Sequence, residues 1–103
     1  MKDSFSYREV AAEPRLHEGC YTAWRGRAAN IRIEPEAVFF DLLVGYEDEQ
    51  LLEGIVPVRV DFAVSLEENR RVEVLGMVSP VDRGEAVKPG IALEAVSIHQ
   101  LIE

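Results

Sequence analysis

Arginine and aromatic residues recur at alternate positions of the segments that predict strands. In the segment YTAWRGRA (residues 21–28), alternation places the arginines on the face opposite Trp24, which is predicted to pack in the core. Cations that follow a phosphate backbone, together with aromatic rings on which bases stack, are what a groove for single-stranded nucleic acid needs. The residues predicted for such a groove are Tyr21, Arg25, Arg27, Arg32, Phe39 and Arg59.

Acidic residues favour a second interpretation of the same face. Asp41 and Asp61 share it by alternation, and the whole chain has a formal net charge of −8. Both features oppose phosphate binding, because the long-range field of an acidic protein repels a polyanion. The face is therefore either a nucleic-acid groove or a solvated surface whose arginines pair with carboxylates across strands.

A set of apolar residues near the end of the chain predicts a surface for association. If Val74 and Gly76 face the core, Leu75 and Met77 face outward, next to Val96 and Ile98 of the last strand. An exposed apolar patch on a small barrel is typical of a contact with a partner or with a second copy. The alternative is that a bulge at Gly76 reverses the alternation and buries one of these residues.

Other chemically reactive residues in the sequence lack the full set of neighbours that a metal site or a catalytic site requires. His17 and Cys20 form an H-x-x-C pair, but a structural zinc site needs four ligands and the chain has no second cysteine. The acidic run Glu47, Asp48, Glu49 lacks the alternating ligands of a calcium loop and is expected to be solvated. We therefore expect no metal, no cofactor and no enzyme activity.

Five segments with strand periodicity must position these residues. The first and fourth each carry a glycine in the middle, Gly26 and Gly76, which is typical of a bulge or of a barrel corner. Alternation is clearest in the third, although the last segment also permits a helix. The predicted strands cover residues 19–33, 37–46, 55–65, 72–81 and 91–102, and LEENRR (residues 66–71) connects the third to the fourth.

The N-terminal segment carries helix-start residues. Ser6 and Glu9 fit a capping box, and Phe5 with Val10 fit the hydrophobic staple that often accompanies it. They predict a short helix over residues 7–13 that Pro14 ends, with a frayed arm as the alternative. Residues 1–19 are thus expected to form an N-terminal segment. Residues 20–103 are expected to form an all-β, five-stranded barrel, whose strand order, with central glycines in the first and fourth strands, resembles an OB-like Greek-key barrel.

Three short motifs resemble the bacterial single-stranded DNA-binding proteins, including those of the primosomal replication protein B type. They are Gly26-Arg27 in the first strand, VEVLGMV (residues 72–78) in the fourth and AVSIHQL (residues 95–101) in the last. The resemblance implies an OB fold that binds single-stranded DNA within a replication or repair assembly. The chain departs from that family between the third and fourth strands, where LEENRR replaces a helix or a longer connection.

Length and composition fit one small domain. The chain has 103 residues, 48% of them hydrophobic, and no apolar run long enough to cross a membrane. The N-terminus has no apolar segment of the kind found in signal peptides, and a single cysteine cannot form an internal disulfide. We expect a cytoplasmic protein whose partner is single-stranded nucleic acid or another protein, including a second copy of itself.

Overall fold

In a computed structural model of the chain, the described residues form one short α-helix, one 3-10 helix and five strands. The structure describes residues 5–45, 52–82, 84 and 89–101. In chain order the elements are α1 (Tyr7–Ala12), the 3-10 helix (Pro14–His17), β1 (Tyr21–Ile33), β2 (Val38–Val44), β3 (Gly54–Val60), β4 (Arg71–Val81) and β5 (Gly90–Gln100). The acidic run Glu47, Asp48, Glu49 lies outside the described residues.

The five strands close into a barrel in the order β1-β2-β3-β5-β4, with β4 pairing back onto β1. Four of the pairings are antiparallel, and β3 with β5 is parallel. The parallel pairing is short, joining Val58 to Leu93 and Arg59 to Glu94. The predicted all-β barrel is confirmed, including the interpretation of the last segment as a strand.

At Gly26 the backbone of β2 passes close to that of β1. It faces the core opposite Val44, and a Cβ at this position would lie 2.0 Å from the carbonyl oxygen of Leu43. Gly76 also faces the core, but the nearest atom to a Cβ there would be 3.1 Å away. A side chain at Gly26 would therefore overlap backbone, which explains the glycine in the middle of β1.

The core consists of the inward residues of all five strands, as alternation predicts. Trp24 is 5% exposed, so the expectation that it packs inside rather than on the surface is confirmed. The fully buried side chains are mostly β-branched, which suits a pleated, crowded interior. The largest of them are Phe40, Leu42, Leu93, Val10, Val56, Val58, Val60, Val72, Val74 and Val78.

The N-terminal helix packs on this core through Val10, which is completely buried. The predicted capping box is present: the Glu9 N–H donates to Ser6 Oγ at 3.2 Å, and the Ser6 N–H donates to Glu9 Oε1 at 3.1 Å. Trp24 Nε1 donates to the Phe5 carbonyl at 2.7 Å, and its ring meets that of Tyr7 edge-on. The alternative of a frayed arm is therefore wrong for the described part of this segment. Among the residues that the structure describes, no helix is long and apolar enough to cross a membrane.

The third strand ends at Val60 rather than at Ser65, which corrects the predicted boundary. Beyond Val60, the side chains of Phe62, Val64 and Leu66 still pack against the core. The alternation of residues 61–66 therefore comes from their burial, although this stretch does not pair as a strand. The connection to β4 turns at Asn69, which has a positive φ of 64° and whose N–H donates to the Ala28 carbonyl. No helical turn forms across the described residues of this connection.

A bulge in β1 sets the direction of Arg32. Asn30 has a positive φ of 52°, and two residues of β1 oppose one residue of β2 at this point. The Glu68 carboxylate accepts the N–H groups of Asn30 at 3.1 Å and of Ile31 at 2.7 Å, which holds the bulge in place. As a result Arg32 lies opposite Phe39 on the outer face.

Candidate nucleic-acid interface

Four outward residues on neighbouring strands form one line across the barrel. Arg32 of β1 is opposite Phe39 of β2, Phe39 is opposite Arg59 of β3, and Arg59 is opposite Glu94 of β5. We call these four residues the cross-strand row. Side chains that are directly opposite on adjacent strands are close enough to act on one ligand group. The row therefore places a half-buried aromatic ring between two guanidinium groups.

A shallow depression of about 200 Å³ lies along the β5 side of the row. Its outer lining combines an aromatic ring, a proline, two small residues and one charge of each sign. These residues are Phe39, Pro57, Arg59, Ser79, Ala92 and Glu94, and the core residues Val58 and Leu93 close it from beneath. Ligand pockets are commonly about 300–1,000 Å³, so this depression suits a single ring rather than a whole nucleoside.

Asp41, which was expected to repel phosphate on this face, is engaged by its neighbours. Asn30 Nδ2 donates to Asp41 Oδ2 at 2.9 Å, and Arg32 Nη2 lies 4.0 Å from Asp41 Oδ1. Arg32 also donates from Nη1 to the Asn30 carbonyl at 3.1 Å, so the bulge residue orients both charged groups. These contacts offset the charge of Asp41 and keep Arg32 beside Phe39.

Arg59 pairs with two carboxylates through one nitrogen. Its Nη1 lies 3.3 Å from Glu94 Oε2 and 3.9 Å from Asp61 Oδ2. Within the described residues its Nε and Nη2 make no ion pair or hydrogen bond, and a guanidinium carries five N–H donors. The side chain is 38% exposed, so donors remain available to a phosphate oxygen at the surface.

The other residues predicted for the groove lie toward β4. Tyr21 is 54% exposed and opposite Met77, while Arg25 is opposite Glu73 and pairs with it at 3.0 Å. Arg27 donates from Nη1 to the Asn69 carbonyl at 2.7 Å. The structure therefore brings Arg32, Phe39 and Arg59 together but places Tyr21 and Arg25 beside a different strand.

The apolar patch predicted near the chain end is only partly exposed. Leu75 is 36% and Val96 is 51% exposed, and Met77 is half-buried beside Tyr21. Ile98 does not face outward with the other residues of the patch. A register shift leaves Val96 as an extra residue in β5, so Ile98 lies opposite the buried Val74. Ile98 packs against the core, which corrects its expected outward direction.

The sequence pattern did not indicate that Glu94, Pro57 and Ser79 belong to the same site. Alternation does place Pro57 and Glu94 on the outer face, but their proximity depends on the parallel pairing of β3 with β5. Nothing in either strand's own sequence specifies that pairing. Across the described ranges, no three His, Cys, Asp or Glu side chains are grouped so that they could hold a metal ion.

Comparison with solved structures identifies the barrel. The chain is similar to a chain in a structure of a replication protein A heterotrimer bound to ssDNA, with a TM-score of 0.59 and 19% identity over 82% of this chain and 59% of that one. It is also similar to the aspartyl tRNA synthetase from Entamoeba histolytica, with a TM-score of 0.66 and 12% identity over 94% of this chain and 21% of that one. At these identities the likeness establishes the fold alone.

The chain thus spans about three fifths of the first protein and one fifth of the second. No curated protein sequence is significantly similar to it. The predicted OB fold is confirmed, whereas the resemblance to single-stranded DNA-binding and primosomal proteins stays a prediction. A family model described as the Spirochaete C-terminal OB fold matches residues 1–99, and the chain therefore belongs to that family.

Proposed function

We propose that this chain is a non-enzymatic OB domain that binds single-stranded nucleic acid on the outer face of β2 and β3. The observation that carries the proposal is the position of Phe39 between Arg32 and Arg59 on adjacent strands. OB folds bind oligonucleotides on this face of the barrel. In this arrangement one base stacks on Phe39, and the two arginines contact the phosphates on either side of it.

The net charge of −8 does not prevent such binding, although it weakens it. Exposed charges separated by more than about 8 Å are largely screened at physiological salt, so a phosphate at the row meets mainly the two arginines and the carboxylates beside them. Arg59 keeps donors that its carboxylate partners leave open, and Asp41 is already engaged by Asn30 and Arg32. We expect modest affinity that rests on stacking as well as on charge.

The comparisons support this proposal at the level of the fold. One similar structure is of a heterotrimer bound to ssDNA, and the other is of a tRNA synthetase. Barrels of this shape therefore occur in proteins whose descriptions mention a nucleic acid. A role within a replication or repair assembly is part of the proposal, as is a cytoplasmic location.

The test is fluorescence anisotropy of labelled single-stranded DNA and RNA oligonucleotides titrated with the protein at several salt concentrations. Each phosphate contact with a single strand contributes about 0.7 to the slope of log affinity against log salt. We expect R32A and R59A each to weaken binding and to lower that slope by about 0.7. R25A is the matched control, because Arg25 pairs with Glu73 of β4, away from the row. This substitution should leave the slope unchanged. Absence of binding even at low salt would refute the proposal for this chain.

A second candidate function is a protein-interaction module, which the outer apolar patch favours. Tyr21, Leu75 and Val96 are all substantially exposed around the half-buried Met77. Such a patch could join two copies of the chain. Sedimentation velocity of the wild type and of V96D tests this: a dimer that the substitution dissociates supports it, and a wild-type monomer at high concentration argues against a homodimer.

A further inference from the structure

Glu94 is the one carboxylate that lines the depression beside Phe39 among the described residues. Its side chain is 43% exposed, and its Oε2 lies 3.3 Å from Arg59 Nη1. Within the described part of the chain no group donates to the second oxygen, Oε1. Glu94 therefore lines the depression and keeps an acceptor oxygen to which no described group donates, while Arg59 fixes the position of the carboxylate.

An ionised carboxylate accepts hydrogen bonds and donates none. A base that meets it through an exocyclic amino group forms a bond, whereas a base that presents a carbonyl oxygen at the same place is repelled. Cytosine carries an amino group at C4, where thymine and uracil carry a carbonyl oxygen. Because the three pyrimidines are nearly the same size, comparing them tests this contrast. Glutamate and aspartate accept from cytosine N4 in known readout of bases.

We propose that Glu94 makes the depression selective for a base that carries an amino group, cytosine in particular, over thymine and uracil. The inference rests on the proposed function, because it assigns the base that stacks beside Phe39. The depression of about 200 Å³ suits one pyrimidine ring, and Arg59 pairs with the carboxylate. In the proposed complex, the remaining donors of Arg59 contact the adjoining phosphate. Ser79 adds a hydroxyl to the same lining, which can donate or accept.

The first experiment compares the affinity of the wild-type protein for oligo(dC) and oligo(dT) of equal length at pH 8, by fluorescence anisotropy. A good bidentate base contact is worth about 1–3 kcal/mol of discrimination, which corresponds to an affinity ratio of about 5 to 150, and a single acceptor should reach the lower end of this range. We expect oligo(dC) to bind more tightly by a factor in this range. This comparison needs no variant, so it holds even if a substitution at Glu94 disturbs the fold.

The second experiment repeats both titrations with E94Q, which keeps the size of the side chain and adds an N–H₂ donor. We expect the preference for oligo(dC) to be lost or reversed. E73Q is the matched control, since Glu73 also pairs with an arginine but lies beside β1 and should leave the ratio unchanged.

The outcomes separate this inference from the proposed function. Equal wild-type binding of oligo(dC) and oligo(dT) overturns the selectivity but leaves single-strand binding intact. An E94Q variant that binds both more tightly with the same ratio also overturns it, because the carboxylate would then only repel phosphate. Failure of the wild type to bind either oligonucleotide refutes the proposed function itself, and the selectivity with it.

Discussion

Replacing Gly26 by alanine should destabilise the barrel far more than the same change at Gly76. Both glycines lie in the middle of a strand, face the core and are buried, so sequence alone treats them alike. A Cβ at Gly26 would lie 2.0 Å from the oxygen and 2.7 Å from the carbon of the Leu43 carbonyl. Both atoms belong to backbone that is held in the β1–β2 ladder, so they cannot move aside cheaply.

A Cβ at Gly76 meets looser surroundings. Its nearest neighbours would be the Glu94 carbonyl oxygen at 3.1 Å and Leu93 Cβ at 3.2 Å, which a shift of a few tenths of an ångström relieves. Overpacking of a core typically costs about 1–3 kcal/mol and occasionally more. We therefore expect G76A to cost about 1 kcal/mol and G26A to cost more than about 3 kcal/mol.

Urea unfolding followed by circular dichroism and by the fluorescence of Trp24, the one tryptophan of the chain, measures both free energies of unfolding. For a domain of this size each 1 kcal/mol also lowers the melting temperature by about 4–8 °C. A G26A protein that does not fold at all agrees with the expectation. A G26A protein as stable as G76A would refute the close approach of β1 and β2 at this position.

Two further substitutions test the interior. T22V should raise the free energy of unfolding by about 1 kcal/mol, because Thr22 Oγ1 is buried without a partner among the described residues and valine has the same shape. Urea unfolding measures the change, and a loss of stability would mean that the hydroxyl has a hydrogen-bond partner. W24F should lower the free energy of unfolding by about 1–3 kcal/mol, because it removes the bond to the Phe5 carbonyl and part of a buried ring. A W24F protein that melts at the wild-type temperature would contradict this expectation.

Alternation alone was sufficient to predict most of the barrel. It placed Trp24, Phe40 and Val74 in the core and Phe39 and Arg59 outside, because a half-buried strand exposes every second residue to water. The capping box at Ser6 and Glu9 correctly predicted the helix start, because capping depends only on residues that are close in the sequence.

Alternation could not predict features that depend on pairing. The register shift at Val96 turns Ile98 inward, and the segment after Val60 alternates in burial without a strand partner. The parallel contact of β3 with β5, which sets Glu94 beside Arg59, joins residues far apart in the sequence. The site was therefore predicted as a list of outward residues, and only the fold shows which of them meet.

The most direct test of the central claim is the affinity of F39A for a single-stranded oligonucleotide, measured by anisotropy beside wild type. Stacking of a base on an aromatic ring is worth about 1–3 kcal/mol, so we expect binding about 5 to 150 times weaker with little change in its salt dependence. L16A is the matched control, because Leu16 is an exposed apolar residue of the 3-10 helix, outside the proposed face of β2 and β3. Unchanged affinity in F39A, or an equal loss in L16A, would contradict binding at the cross-strand row.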